Sequence, residues 1–294
     1  MPDALTPPSA AQHRRAVLLL ALCGLFWSTG GVLIKLVAWH PLAIWSARCA
    51  ICAATLYLIR RPTLRGIGRA EWSAAIALAL TTGLFIVANK LTTAANAILI
   101  QYSAPVWIAL LGRWFLGEPA TRLDWLTIAL VVGGITLFFF DQLTLDHVTG
   151  NLVALASGVA FAFHAMTLRR VAIAAARTSD APIDPMRPLI LGNLVGALIG
   201  APFAFLHAPP DATGWAALLA LGVVQQGAAY LCLARAIRHA TALEAMLIPI
   251  IEPILNPIWV ALAVGERPGP WALAGGAIVV GAVTLRALLA RRAS

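Results

Sequence analysis

The residues able to do chemistry in this chain are few, and most sit where polar groups are costly. Glu252 lies near the middle of residues 241–268, which hold about 22 largely apolar positions, enough to cross a bilayer as a helix. A carboxylate at that depth costs a few kcal/mol to insert, so it faces a partner or a watery cavity. Pro249, Pro253 and Pro257 surround it, and Asn256 follows one turn later on the same helical face. Glu252 could pair with a bound ammonium group or carry a proton; alternatively it is a hydrogen-bonded brace for a bent helix. Arg48 is the one basic residue well inside an apolar segment. It could hold a carboxylate or partner Glu252, or it could snorkel to the interface. Lys90, at a segment end, offers the same choice between an anion and the interface.

Other polar candidates cluster in three segments. Gln225, Gln226 and Tyr230 share one segment, the last two at i, i+4 on one face. Gln101, Tyr102 and Trp107 share another, where Pro105 frees a backbone carbonyl. His164 stands alone among apolar residues. Amides inside a membrane bond to neighbouring helices or to ligand and water. Trp27 and Trp107 lie near mid-depth, where they could stack on an apolar ligand or pack on helices. Together these residues, with Glu252 and Asn256, form the candidate binding set; Arg48 and Lys90 are possible charge partners, and Pro105 and Pro253 the candidate helix breaks.

Of the 294 residues, 61% are hydrophobic and 11% charged, and the mean hydropathy is +0.86. Soluble domains average about 25% charged residues. The chain is therefore an all-α integral membrane protein. Its net charge of +9 does not indicate nucleic acid, because the basic residues fall in short loops and form no stripe. The four cysteines lie in apolar segments without metal-ligand spacing, so no metal site and no disulfide is expected. No P-loop, H-E-x-x-H motif, nucleophile elbow or Cys cluster is present, so no cofactor and no enzymatic activity is expected.

Residues 1–13 are polar and Pro-containing and read as a disordered tail. Ten apolar segments follow, at residues 16–36, 42–59, 72–88, 94–115, 123–140, 149–168, 187–206, 214–234, 241–263 and 270–289. The first is too long for a secretory h-region and reads as a retained helix. The longest connection is residues 169–186. With the N-terminus inside, 17 Lys and Arg residues fall on inner loops against three on outer ones. That bias predicts ten spans with both ends cytoplasmic. With 19 Arg, two Lys and many Ala, the composition points to a high-GC bacterium and its inner membrane.

Residues 93–137 slide onto 241–285 without gaps, with 14 of 45 positions identical. The informative matches are Pro105/Pro253, Gly117/Gly265 and Glu118/Glu266. Five helices per half make the second copy enter the membrane inverted, an arrangement typical of secondary transporters with a site near the midplane. Gly192, Gly196 and Gly200 form a small-residue stripe read as helix packing or a dimer contact.

These motifs resemble the paired EamA domains of the drug/metabolite transporter superfamily. The carriers of the resemblance are the midspan Pro and Gly-Glu turn of residues 105–118 and 252–266, with Gly24, Leu25, Phe26, Trp27, Ser28 and Lys35 like the family's first helix. Within the superfamily the chain looks like the YddG-type aromatic amino-acid exporters. One departure is that Ala104 precedes Pro105 where Glu252 precedes Pro253. The resemblance implies ten transmembrane helices as two inverted five-helix repeats, residues 16–140 and 149–289. An external linker at 141–148 joins them, and cytoplasmic tails at 1–15 and 290–294 flank them. Spans one to four and six to nine would enclose a central cavity. It implies export of small metabolites, amino acids foremost, through the lipid bilayer by substrate gradient or proton coupling. Bundle 1, 2, 6, 7 would rock against bundle 3, 4, 8, 9. Carriers of cationic drugs or other metabolites in the same superfamily are the alternative, and an intramembrane enzyme or scaffold the remote one.

Overall fold

The structure, a computed structural model, describes residues 9–140, 143, 146–177, 184–255, 259 and 269–290. Among these there are helices and turns and no strands. The order is α1 (Ala10–Ser28), α2 (Gly30–Lys35), α3 (Pro41–Arg60), α4 (Arg69–Leu91), α5 (Ala94–Gln101), α6 (Ala104–Leu116), α7 (Arg122–Phe138) and α8 (Val148–Arg177). Then follow α9 (Met186–Leu206), α10 (Ala212–Ala220), a π-helical stretch (Leu221–Ala228), α11 (Ala229–Ala236), α12 (Ala242–Leu247), a 3-10 turn (Ile248–Ile251) and α13 (Pro270–Ala290). Seven helical stretches among the described residues are long and apolar enough to cross a membrane.

Two boundaries differ from the sequence reading. Ser9 caps α1 in a capping box with Gln12, so the helix begins inside the expected tail. The helix α8 also runs on through residues 169–177, where a loop was expected. The segment is rich in Ala, a strong helix former, and loses its apolar character without losing its helix.

The prolines act where a missing N–H does least harm. The helix α5 ends at Gln101, and α6 restarts at Ala104 with Pro105 in its first turn. In the later copy, α12 gives way at Ile248 to a 3-10 turn containing Pro249, and helix resumes over 252–255. Each broken pair starts on a threonine cap, Thr93 accepting from the Asn96 N–H and Thr241 from the Glu244 N–H.

Packing interleaves the two halves of the chain. The helix α4 lies against α8 and α9, α3 against α9 and the π stretch, α1 against α11 and the 3-10 turn, and α7 against α13. The rocking bundles named from the resemblance do not match this arrangement. Here α1 packs on α11 and the 3-10 turn, and α4, α5 and α6 pack on α8, while α3 on α9 is the pairing that agrees. Small residues permit the approach. A Cβ on Gly192 would meet the Ala75 carbonyl at 2.7 Å, and one on Gly200 the Leu42 carbonyl at 2.7 Å. The glycine stripe thus seats α9 on α4 and α3 within one chain. Gly192→Val is expected to cost about 1–3 kcal/mol through overpacking. It would show as a lower thermal midpoint in detergent, read by size exclusion after heating.

Ionic contacts gather at the arginine-rich end. Arg286 donates to Asp124 (2.8 Å) and to Glu244 (3.3 Å), and His13 Nε2 lies 3.0 Å from Glu244. Glu118, from the Gly-Glu turn, accepts from Arg169 Nε (2.8 Å) and from the Ala242 N–H that opens α12 (3.0 Å). Arg187 pairs with Glu71 at 3.3 Å, both buried. At the opposite end α5 is held by neutral groups. Asn96 donates to the Thr92 hydroxyl and to Asn151 Oδ1, and Thr92 also donates to Asn151.

Candidate functional site

The two helix breaks face each other, and a cavity lies beside them. The Tyr102 hydroxyl, in the first break, donates to Glu252 Oε2, at the end of the second, over 2.8 Å. This bond joins residues 150 positions apart. The cavity has a larger chamber of about 450 Å³ and a smaller one of about 120 Å³. Both are lined by Trp27, Arg48, Phe85, Gln101, Tyr102, Gln225 and Glu252. The larger runs to Ile34, Pro41, Asn89 and Lys90 at the arginine-poor helix ends. The smaller adds Leu78, Thr81, Thr82, Phe161, His164, Gln226 and Tyr230.

Each wall is placed by local structure. In the π-helical stretch Gln225 donates to the Trp27 carbonyl (3.3 Å), while Gln226 donates to Asn193 Oδ1 (3.0 Å) and the Tyr230 hydroxyl (3.2 Å). An extra residue per turn turns adjacent glutamines toward one cavity, a recurrent use of π-bulges. Gln101 donates to Ser157 Oγ (2.7 Å), and Ser157 donates to the Thr81 carbonyl (2.8 Å). His164 Nδ1 lies 3.0 Å from the Ala74 carbonyl. Trp27 meets Tyr230 edge-on with centroids 6.2 Å apart, and Phe161 at 6.3 Å.

Of the residues singled out from sequence, Trp27, Gln101, Tyr102, His164, Gln225, Gln226, Tyr230, Glu252, Arg48 and Lys90 line this cavity. Trp107 does not join them. Its indole N–H donates to Ser103 Oγ one turn back (3.2 Å), and the ring packs on the apolar core. Its depth was readable, but the break at 102–103 rotates α6 relative to α5. Pro105 is buried at the start of α6, and Pro253 lines the larger chamber. Asn256 lies outside the described residues.

Several wall residues escaped the sequence reading. Phe85, Phe161, Thr81 and Thr82 are ordinary packing types, and nothing in their spacing marks them. Asn193 lies behind the wall, 1% exposed, where it accepts from Gln226, and a lone amide within α9 was the available signal. Trp45 lines the larger chamber and donates to the Thr82 hydroxyl (3.0 Å).

Chemically the cavity is amphoteric. Its charged lining is Arg48, with Lys90 at the mouth of the larger chamber, and one carboxylate, Glu252, and among the described residues none of the three makes an ion pair. Arg48 Nε is buried without a hydrogen-bond partner. Charges of both signs that share a cavity without forming an ion pair suit a ligand that carries both signs. Among the described residues no group of His, Cys, Asp and Glu is placed to hold a metal ion.

Comparison with known proteins agrees with this architecture. A model of the EamA-like transporter family matches residues 14–140 and again 148–287. The pseudopaline exporter CntI of Pseudomonas aeruginosa, from two strains, is 25% identical over 280 residues, covering 91% of this chain and 94% of that protein. A solved crystal structure superposes with a TM-score of 0.80 at 22% identity, over 95% of this chain and 98% of its own.

Proposed function

The chain belongs to the EamA-like transporter family, which makes it a multi-pass membrane transporter of small molecules, and from that premise we propose that it exports neutral and aromatic amino acids. The observation that carries this reading is the unpaired Arg48 and Glu252 in one aromatic-walled cavity. An α-amino acid presents a carboxylate for Arg48 and an ammonium for Glu252. Its side chain then lies against Trp27, Phe85 and Phe161. Charge-assisted hydrogen bonds of this kind are roughly twice as strong as neutral ones. The relative named as an exporter supports outward movement of metabolites.

In this reading the chain has ten spans in two inverted repeats, residues 16–140 and 149–289, and lies in the bacterial inner membrane with both ends cytoplasmic. The arginine-rich end is then the cytoplasmic end. The ionic contacts of Glu118, Glu244 and Arg286 close that end, and the larger chamber faces outward. Export by alternating access breaks those contacts to load substrate and re-forms them to release it.

The test is counterflow of labelled tryptophan and phenylalanine into proteoliposomes. Uptake above protein-free liposomes supports an amino-acid carrier; its absence in a folded preparation overturns that reading. Arg48→Met is expected to weaken competition by tryptophan at least tenfold while leaving tryptamine, which lacks the carboxylate, unchanged. If tryptamine competes better than tryptophan against wild type, the chain is a carrier of cationic compounds instead, the reading Glu252 alone would favour.

A further inference from the structure

The smaller chamber holds unpaired buried polar atoms that an amphoteric site for any amino acid does not explain. Among its lining residues, four buried polar atoms have no hydrogen-bond partner: Arg48 Nε, His164 Nε2, Gln225 Oε1 and Gln226 Oε1. The residues His164, Gln225 and Gln226 are 1%, 7% and 3% exposed. Buried polar groups in native proteins are nearly always paired, and leaving one unpaired is costly. Four in one place mark the position of a ligand's own polar groups.

Their chemistry is fixed by their neighbours. The Gln225 amide nitrogen donates to the Trp27 carbonyl, which can only accept, so its oxygen is the free end. The Gln226 nitrogen donates to Asn193 Oδ1, whose own nitrogen donates to the Leu189 carbonyl, so the Gln226 oxygen is free as well. His164 Nδ1 faces the Ala74 carbonyl and must carry the proton, which leaves Nε2 of the neutral ring as an acceptor. The threonines at this level spend their hydroxyl protons on backbone, Thr81 on the Ala77 carbonyl and Thr82 on that of Leu78. The chamber thus offers three buried, unpaired neutral acceptors, beside the donors of the Arg48 guanidinium and the Tyr230 hydroxyl, neither of which bonds any of the three.

Ligand pockets for drug-sized molecules run to about 300–1,000 Å³. At about 120 Å³ the smaller chamber takes one part of a ligand, with the rest in the larger chamber beside Glu252. We infer that the smaller chamber selects a side chain bearing its own N–H donor, such as an indole or imidazole, over an apolar side chain of the same shape. This rests on the amino-acid reading above and narrows it. A site built to bond a polar group discriminates strongly against the analogue that lacks it, because its own buried groups are then left unpaired.

Two near-isosteric pairs test this in proteoliposomes loaded for counterflow. Tryptophan is set against benzothienylalanine, in which sulfur replaces the ring N–H, and histidine against thienylalanine. The expected result is at least tenfold weaker competition by the sulfur analogue in each pair. In Gln225→Leu, or in His164→Phe where the first does not fold, that preference falls below threefold. If the amino acids move but each pair competes equally on the wild-type protein, the inference is overturned and the amino-acid reading stands. If no amino acid moves in folded protein, both fall.

Discussion

Proteoliposomes carrying Glu252→Gln are expected to show less than a hundredth of wild-type affinity in amino-acid counterflow. The substitution keeps the size of the side chain and its capacity to accept from Tyr102, and it removes the charge. The substrate ammonium would then enter an enclosed cavity with no counter-charge. Removing one partner of a buried ion pair costs about 3–5 kcal/mol, and each 1.4 kcal/mol is about tenfold in affinity. Tyr102→Phe removes one hydrogen bond to Glu252 and is expected to cost about 1 kcal/mol, a fall of roughly fivefold. Glutamine that supports wild-type counterflow would make Glu252 a brace for the broken helix. Retained counterflow that loses its dependence on pH would assign the carboxyl to proton carriage instead.

Arg286→Leu is expected to destabilise the folded protein by about 3–5 kcal/mol, because it strands two buried carboxylates at once. Asp124 and Glu244 are 7% and 6% exposed, and Arg286 bonds both. His13 remains beside Glu244, but Asp124 keeps only its capping bonds to Thr121. The thermal midpoint in detergent measures the loss. The triple variant Arg286→Leu, Asp124→Asn, Glu244→Gln removes the stranded charges and is expected to recover most of it. Failure to recover would locate the effect in packing of the arginine stem, not in its charge.

Much of the helical frame was legible because hydropathy and proline act locally. Pro105 stands in the first turn after the break at 102–103, whereas the second break falls at the 3-10 turn of Pro249, one turn before Pro253, and Glu252 lines the cavity beside them. What remained hidden depends on rotation about helix axes. Trp107 stands at the right depth, but two residues of break at 102–103 turn it onto the core. The π-helical stretch shifts Gln225 and Gln226 relative to one another, and a 3.6-residue period has no means of showing it. Arg187 and Arg286 were counted among inner-loop charges, as their helix-end positions invited. The structure buries both against carboxylates from the first half of the chain. Charge counting registers which end of a helix carries an arginine and is blind to what lies across from it.

The interleaving of the two halves sets a timetable for synthesis. Glu71 and Asp124 leave the ribosome long before Arg187 and Arg286, and Asp124 precedes its partner by 162 residues. At about 5–20 residues per second, that separation corresponds to roughly 8–32 s during which the carboxylate lacks the guanidinium of its native pair. Through that interval Glu71 and Asp124 have near them only the arginines of their own half, Arg69 and Arg122 among them, and not the ones they are buried against in the finished fold. Assembly of this chain is therefore a problem of timing as well as of packing, because two buried ion pairs close only when α9 and α13 arrive.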